Sequence, residues 1–221
     1  ILLTPGLVPA LDMLVQTFVA AGEKVLIQPP VYYPFFWAGE DNGAEIVSNS
    51  LINENGHYQM DFDDLADKVS DPEVKMAILC NPHNPVGRAW RRDELIQFGK
   101  ICLNNDVLVV SDEAHCDLIY SHSEFTSIGS LGDDFRQNSV IGTAASKTFN
   151  LAGLQTSNII IPDNKLREQF AGTIKRNGVF LPNPFGVVAA EAAYNDGEAW
   201  LTEVMAYIEG NYRFMKSYLT E

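Results

Sequence analysis

Along the chain, short uninterrupted apolar runs alternate with amphipathic stretches. Thr4-Pro5-Gly6 introduces a helical segment reaching about residue 21, with Leu11, Leu14, Val15 and Phe18 at helical spacing. Lys24-Val25-Leu26-Ile27-Gln28 reads as a buried strand stopped by Pro29-Pro30. A helix around residues 35–38 and the strand Glu45-Ile46-Val47 come next, and an acidic loop and helix over 61–69 precede the strand Met76-Ala77-Ile78-Leu79-Cys80. Residues 92–104 are predicted as a helix leading to the strongly apolar strand Val107-Leu108-Val109-Val110-Ser111. A loop near 133–138 leads to the strand Val140-Ile141-Gly142-Thr143, and Asn158-Ile159-Ile160-Ile161 is a further strand. The remainder reads as helices separated by a loop over 178–184. Continuous apolar strands alternating with helices predict an α/β fold, a three-layer α/β/α arrangement around a mostly parallel sheet.

In such sheets ligands collect beyond the carboxyl ends of the strands. Here those positions are rich in polar chemistry. Asn81-Pro82-His83-Asn84-Pro85-Val86-Gly87 follows one strand, Asp112-Glu113-Ala114-His115 the next, and Ala145-Ser146-Lys147 a third. An Asn, an Asp, a His and a Lys are thereby expected on one rim.

Charge and cysteine content exclude partners more than they name any. With 15 basic and 29 acidic residues the formal charge is −14, which disfavours a nucleic-acid backbone or an anionic membrane. Cys80, Cys102 and Cys116 are odd in number and lack CxxC spacing, so neither a disulfide framework nor a metal site is expected, and a reducing cytoplasm fits. Cys102 reads as core filler. No signal peptide opens the chain and no apolar run is long enough to span a bilayer. The chain starts at Ile1 inside a strand pattern and stops at Glu221 inside a helical one, so residues 1–221 are expected to be one large domain of a longer protein.

The segments 81–87, 112–115 and Ser146-Lys147-Thr148-Phe149-Asn150-Leu151-Ala152-Gly153-Leu154 resemble, in order and spacing, the fold-type I pyridoxal phosphate (PLP) enzymes of the class I/II aminotransferase group. Gln28-Pro29-Pro30-Val31-Tyr32-Tyr33-Pro34-Phe35 and the run from Ser146 to Gln155 look most like the cystathionine β-lyase branch, the MalY/PatB-type carbon–sulfur lyases. The resemblance covers essentially the whole chain and corresponds to the PLP-binding large domain of a PLP-dependent transferase-like fold, without its N-terminal segment and C-terminal small domain.

The resemblance implies pyridoxal 5′-phosphate as cofactor and a role for each matching residue. Lys147 is the amine expected to hold the aldehyde as a Schiff base and then to move a proton at the substrate's α-carbon. Asp112 is expected beside the pyridine nitrogen, favouring its protonated form. Asn84 lies in the stretch resembling the family's Asn-Pro-x-Gly turn, its amide suited to the cofactor's phenolic oxygen; His83 beside it reads as a loop residue. His115 stands where many aminotransferases carry a tyrosine touching that oxygen; it is read as tuning it indirectly, with a structural role as the alternative. Tyr32 matches the aromatic residue that stacks on the ring, Tyr33 being the rival assignment and a core aromatic a third reading.

At the phosphate end, Gly6, Leu7 and Val8 open the first helix, where free N–H groups favour a dianion, and Ser146 or Thr143 could supply a hydroxyl. Many aminotransferases place a serine three residues before the lysine and an arginine eight after it; these positions are Ala144 and Gln155 here, so the arginine is absent. Asn183, in Pro182-Asn183-Pro184-Phe185-Gly186, reads as a helix cap.

The reaction this implies is β-elimination from cystathionine or a cysteine S-conjugate, giving a thiol, pyruvate and ammonia. Transamination of an α-amino acid draws on the same residues and is the alternative. A non-catalytic PLP-binding regulatory domain is a third. A nicotinamide-binding domain is disfavoured because no G-x-G-x-x-G follows the first strand. The expected partners are a small amino-acid substrate and a second subunit sharing the active site of a homodimer.

Overall fold

A computed structural model describes residues 1–220; Glu221, at the end of the helical pattern, lies outside them. The chain runs β1 (Leu2–Thr4), α1 (Leu7–Phe18), β2 (Lys24–Ile27), α2 (Pro34–Glu40), β3 (Glu45–Ser48), β4 (Ile52–Glu54), β5 (His57–Gln59), α3 (Phe62–Val69), β6 (Val74–Cys80), α4 (Arg92–Asn104) and β7 (Leu108–Asp112). It continues through α5 (Asp133–Gln137), β8 (Ser139–Thr143), α6 (Ala145–Thr148), β9 (Ser157–Ile160), α7 (Asn164–Arg176), α8 (Pro184–Asp196) and α9 (Glu198–Thr220), with single 3₁₀ turns at Ile128–Ser130 and Ala152–Leu154.

Seven strands form one sheet in the order β1-β9-β8-β7-β6-β2-β3. The five strands from β8 to β3 are mutually parallel, whereas β9 is antiparallel to both β8 and β1. Strand alternation divides the core into two. Val25, Ile27, Met76, Ile78, Val110 and Val140 turn to one face, under Leu14 and Val15 of α1, Phe35 of α2 and Phe170 of α7. Leu26, Ala77, Leu79, Val109 and Ile141 turn to the other, under Leu65 of α3 and Leu95, Phe98 and Cys102 of α4. The architecture is the expected three-layer α/β/α. Cys102 is core, as its apolar setting implied. The Asn183 side chain caps α8 by accepting from Phe185 N at 3.1 Å.

Three local expectations differ. Helix α1 ends at Phe18 rather than near 21, because Val19 is already extended and Gly22 turns the chain at a φ of +88°. Residues 133–137 form a helix where a loop was expected, begun by Gly132 and with Asp133 and Asp134 in its first turn. Strands β4 and β5 make a hairpin that the apolar pattern did not show, since Ile52, Asn53 and Glu54 are all exposed. Its turn is Asn55-Gly56, both at positive φ.

The second core rests on Phe98, which is fully buried. Phe98→Ala should destabilise the fold by about 3–5 kcal/mol. Urea unfolding should show a lower midpoint at unchanged slope; an unaltered midpoint would contradict this packing.

Candidate active site

The parallel ladder sets the floor of the site. Cys80 lies opposite Asp112, and Asp112 opposite Gly142, so three adjacent strands finish level. The pairing extends one residue further: Asn81 N donates to Asp112 O at 2.9 Å and Glu113 N to Gly142 O at 2.8 Å. The loops that follow therefore leave from a single rim.

Beyond that rim opens a cavity of about 210 Å³. Gly6, Leu7 and Val8 reach it from the start of α1, Tyr32 from the segment after β2, and Asn84 from the turn after β6. Asp112 and His115 enter from the end of β7, and Ser146 and Lys147 from α6. Sheet direction explains the first of these contributions. Strand β1 is antiparallel to β9, which is antiparallel to β8, so β1 points the same way as β8 and delivers Gly6 to the same rim. Gly6 sits at a φ of +118°, where a Cβ would meet Pro9 Cδ at an ordinary contact distance of 3.6 Å, so conformation rather than space calls for glycine there.

Asp112 is the buried charge of the site. Its carboxylate accepts a hydrogen bond from Ala114 N at 3.0 Å. Burial pushes its pKa up to about 6, against the pull of that N–H and of the Lys147 ammonium. Burial and the Lys147 charge both push His115 below the ordinary histidine range. Burial, with Tyr33 and Asp112 nearby, raises Tyr32. Lys147 stands in the short helix α6 rather than directly on the strand end; its side chain is exposed on the open side of the cavity and forms no ion pair among the described residues. Its neighbours are fixed: Thr148 Oγ1 donates to Asp117 at 2.9 Å, and the Phe149 ring lies against Tyr194 and Trp200.

Of the two tyrosines, Tyr32 lines the cavity, and Tyr33, 56 % exposed, packs edge-on to Trp37 outside it. Thr143 is not brought to the cavity. Its hydroxyl is engaged at the end of β8, accepting from Asn158 Nδ2 at 3.4 Å. Glu113, adjacent to Asp112, turns to the other face and accepts from Ser111, Ser127 and Ile128 N. Among the described residues, no group of His, Cys, Asp or Glu is arranged to hold a metal ion and no helix is long and apolar enough to cross a membrane.

Sequence reasoning missed Cys80 and Thr156 and gave Gln155 no place in the site; all three line the cavity. Because β9 is antiparallel to β8, it begins at the rim where β8 ends, so the residues before it enter the site. Gln155 does so at a left-handed φ of +48°. Apolar periodicity alone carries no signal for strand direction here, but the odd backbone at Gln155 has none of the usual Gly or Asn to announce it.

Residues 1–221 match the family described as aminotransferase class I and II. The chain belongs to that family. It is 49 % identical over 217 residues to the cystathionine β-lyase PatB of Bacillus subtilis, covering 98 % of this chain and 56 % of that protein. It is 28 % identical to the protein MalY of Escherichia coli, over 96 % of this chain and 54 % of MalY. Cystalysin from Treponema denticola, a structure containing pyridoxal 5′-phosphate, superimposes with a TM-score of 0.97 at 36 % identity, over 99 % of this chain and 56 % of that one. The PLP-bound C-S lyase from Staphylococcus hominis gives 0.92 at 35 %, over 100 % and 55 %. The chain thus spans about half the length of the relatives it matches.

Because Asp112 binds its proton more tightly in the folded state, its contribution to stability is complete below pH about 4 and is lost as the pH rises through about 6. In cofactor-free protein, Asp112→Asn should be near neutral at pH 4 and stabilising by on the order of 2–3 kcal/mol at pH 8. Urea unfolding at the two pH values measures this. A variant no more stable than its parent at pH 8 would contradict a desolvated carboxylate.

Proposed function

We propose that this chain is the PLP-binding large domain of a carbon–sulfur β-lyase that cleaves cystathionine or a cysteine S-conjugate. The observation that carries the reading is that Lys147, the buried Asp112, Asn84 and Tyr32 line one cavity with the N-terminus of α1. That donor set suits each part of pyridoxal 5′-phosphate: an amine for the aldehyde, a buried carboxylate for the ring nitrogen, an amide for the phenolic oxygen, an aromatic face for the ring. The free N–H groups at Gly6, Leu7 and Val8 and the Ser146 hydroxyl suit a phosphate dianion without an arginine.

When bound, the cofactor supplies an electron sink for negative charge at the substrate's α-carbon. The residues do the rest. Asp112 would pair with the ring nitrogen and favour its protonated form, and Tyr32 would supply an aromatic wall for the ring. Lys147 would hold the aldehyde and, as a free amine, would move the proton at the substrate's α-carbon. The β-carbon–sulfur bond then breaks with its electron pair leaving on sulfur, and with water the products are a thiol, pyruvate and ammonia. The choice of elimination over transamination is supported by the 49 % identity to a cystathionine β-lyase; transamination uses the same side chains and is the alternative.

A homodimer is supported by the apolar side chains around the start of α8, where Phe180 and Leu181 are 72 % and 85 % exposed and Phe185 and Val188 are also open. A cytoplasmic setting is supported by three cysteines that form no disulfide.

The natural protein containing this chain, given cystathionine without any 2-oxo acid, should release pyruvate; strict dependence on an added 2-oxo acid would replace the lyase with an aminotransferase. Asp112→Asn should keep the cofactor bound, seen as its visible absorption, while turnover falls by about a hundred-fold or more. Near-normal turnover in that variant would remove Asp112 from the chemistry.

A further inference from the structure

His83 is buried at the heart of the turn that presents Asn84. Its Nε2 lies 3.0 Å from the carbonyl oxygen of Pro30, two residues before Tyr32. The carbonyl can only accept, so Nε2 carries the proton and donates. Nδ1 is buried without a partner among the described residues. Burial holds the ring neutral, its pKa lowered to about 4 despite the Pro30 carbonyl, with the Arg88 charge pushing the same way. The ring meets Trp90 edge-on, 5.4 Å between centroids. Trp90 in turn donates from Nε1 to Cys80 O at 2.9 Å, and Asn84 N donates to Cys80 Sγ at 3.3 Å. His83 N and O are also engaged, with Arg88 O at 2.7 Å and Gly87 N at 2.8 Å. The turn around residue 83 is therefore stiff, and its reach to Pro30 crosses to a different strand connection.

An apolar ring would fill this position without stranding a buried nitrogen, so packing alone does not call for histidine. What histidine adds is the bond to Pro30. We propose that His83 is a positioning residue: its Nε2–Pro30 bond ties together the two loops that carry Tyr32 and Asn84, setting the separation between the stacking wall and the amide wall of the cofactor cavity. The inference rests on the PLP reading of the cavity.

The test uses the natural protein reconstituted with pyridoxal 5′-phosphate, measuring cofactor affinity by titration and the visible circular dichroism of the bound cofactor. His83→Gln places an amide N–H where Nε2 stands and should stay within about two-fold of the parent in affinity. His83→Phe keeps a ring against Trp90 but loses the donor; it should weaken cofactor binding by about ten-fold, the scale of one lost hydrogen bond, and shrink the dichroism. If His83→Phe does not fold, His83→Asn, too short to reach Pro30, takes its place against His83→Gln with the same expected contrast. A donor-less variant matching the parent, or His83→Gln falling as far as His83→Phe, overturns the proposal while leaving the cavity reading intact. A parent protein that acquires no visible band overturns both.

Discussion

Everything at this site depends on one carboxylate held out of water at the end of a central strand. Asp112 terminates β7, between the ends of β6 and β8, and the neighbouring ladder leaves it little solvent. Isolated buried charges are costly, and among the described residues Asp112 is offered only Ala114 N and the more distant Lys147 ammonium. A group left so poorly satisfied is a strain on the fold and suits a cationic partner. The site's position follows from the same geometry: parallel strands ending level put their following loops on one rim.

A second consequence concerns the two strands that break the parallel rule. With β9 antiparallel, the sheet edge beside β8 contributes residues from the start of a strand and not only from strand ends. Gln155 and Thr156 enter the cavity that way, and β1 returns the chain to the rim so that Gly6 opens α1 there. Thr4 and Ser157, paired in register, share a hydroxyl contact at 2.7 Å that pins this junction. The start of α1 thus reaches the proposed site through the antiparallel edge, and Asn84, Asp112 and Lys147 reach it through the parallel centre.

Much of this was legible in the sequence, for physical reasons that can be named. A continuous apolar run as short as 107–111, rich in β-branched residues, reads as a strand covered on both faces, and the polar residues directly after it fall at the rim. Asp112, Asn84, His115 and Lys147 were accordingly placed from order alone. Tyr32 and Tyr33 were not separable by pattern, because which ring faces inward depends on how the Pro29-Pro30 segment is held against residue 83. The engagement of the Thr143 hydroxyl is invisible in the sequence, because its partner Asn158 lies on the next strand. His83 looked like a loop residue for the same reason: its contacts to Pro30 and Trp90 exist only after the loops have met. Strand direction, which brought Gln155 and Thr156 to the cavity, leaves no trace in apolar periodicity.

Lys147 is the amine proposed to bind the cofactor. Incubating the natural protein with pyridoxal 5′-phosphate, reducing with borohydride and mapping the peptides by mass spectrometry tests it directly. The added mass should fall on Lys147. Stoichiometric labelling of another lysine, with Lys147 unmodified, would contradict it.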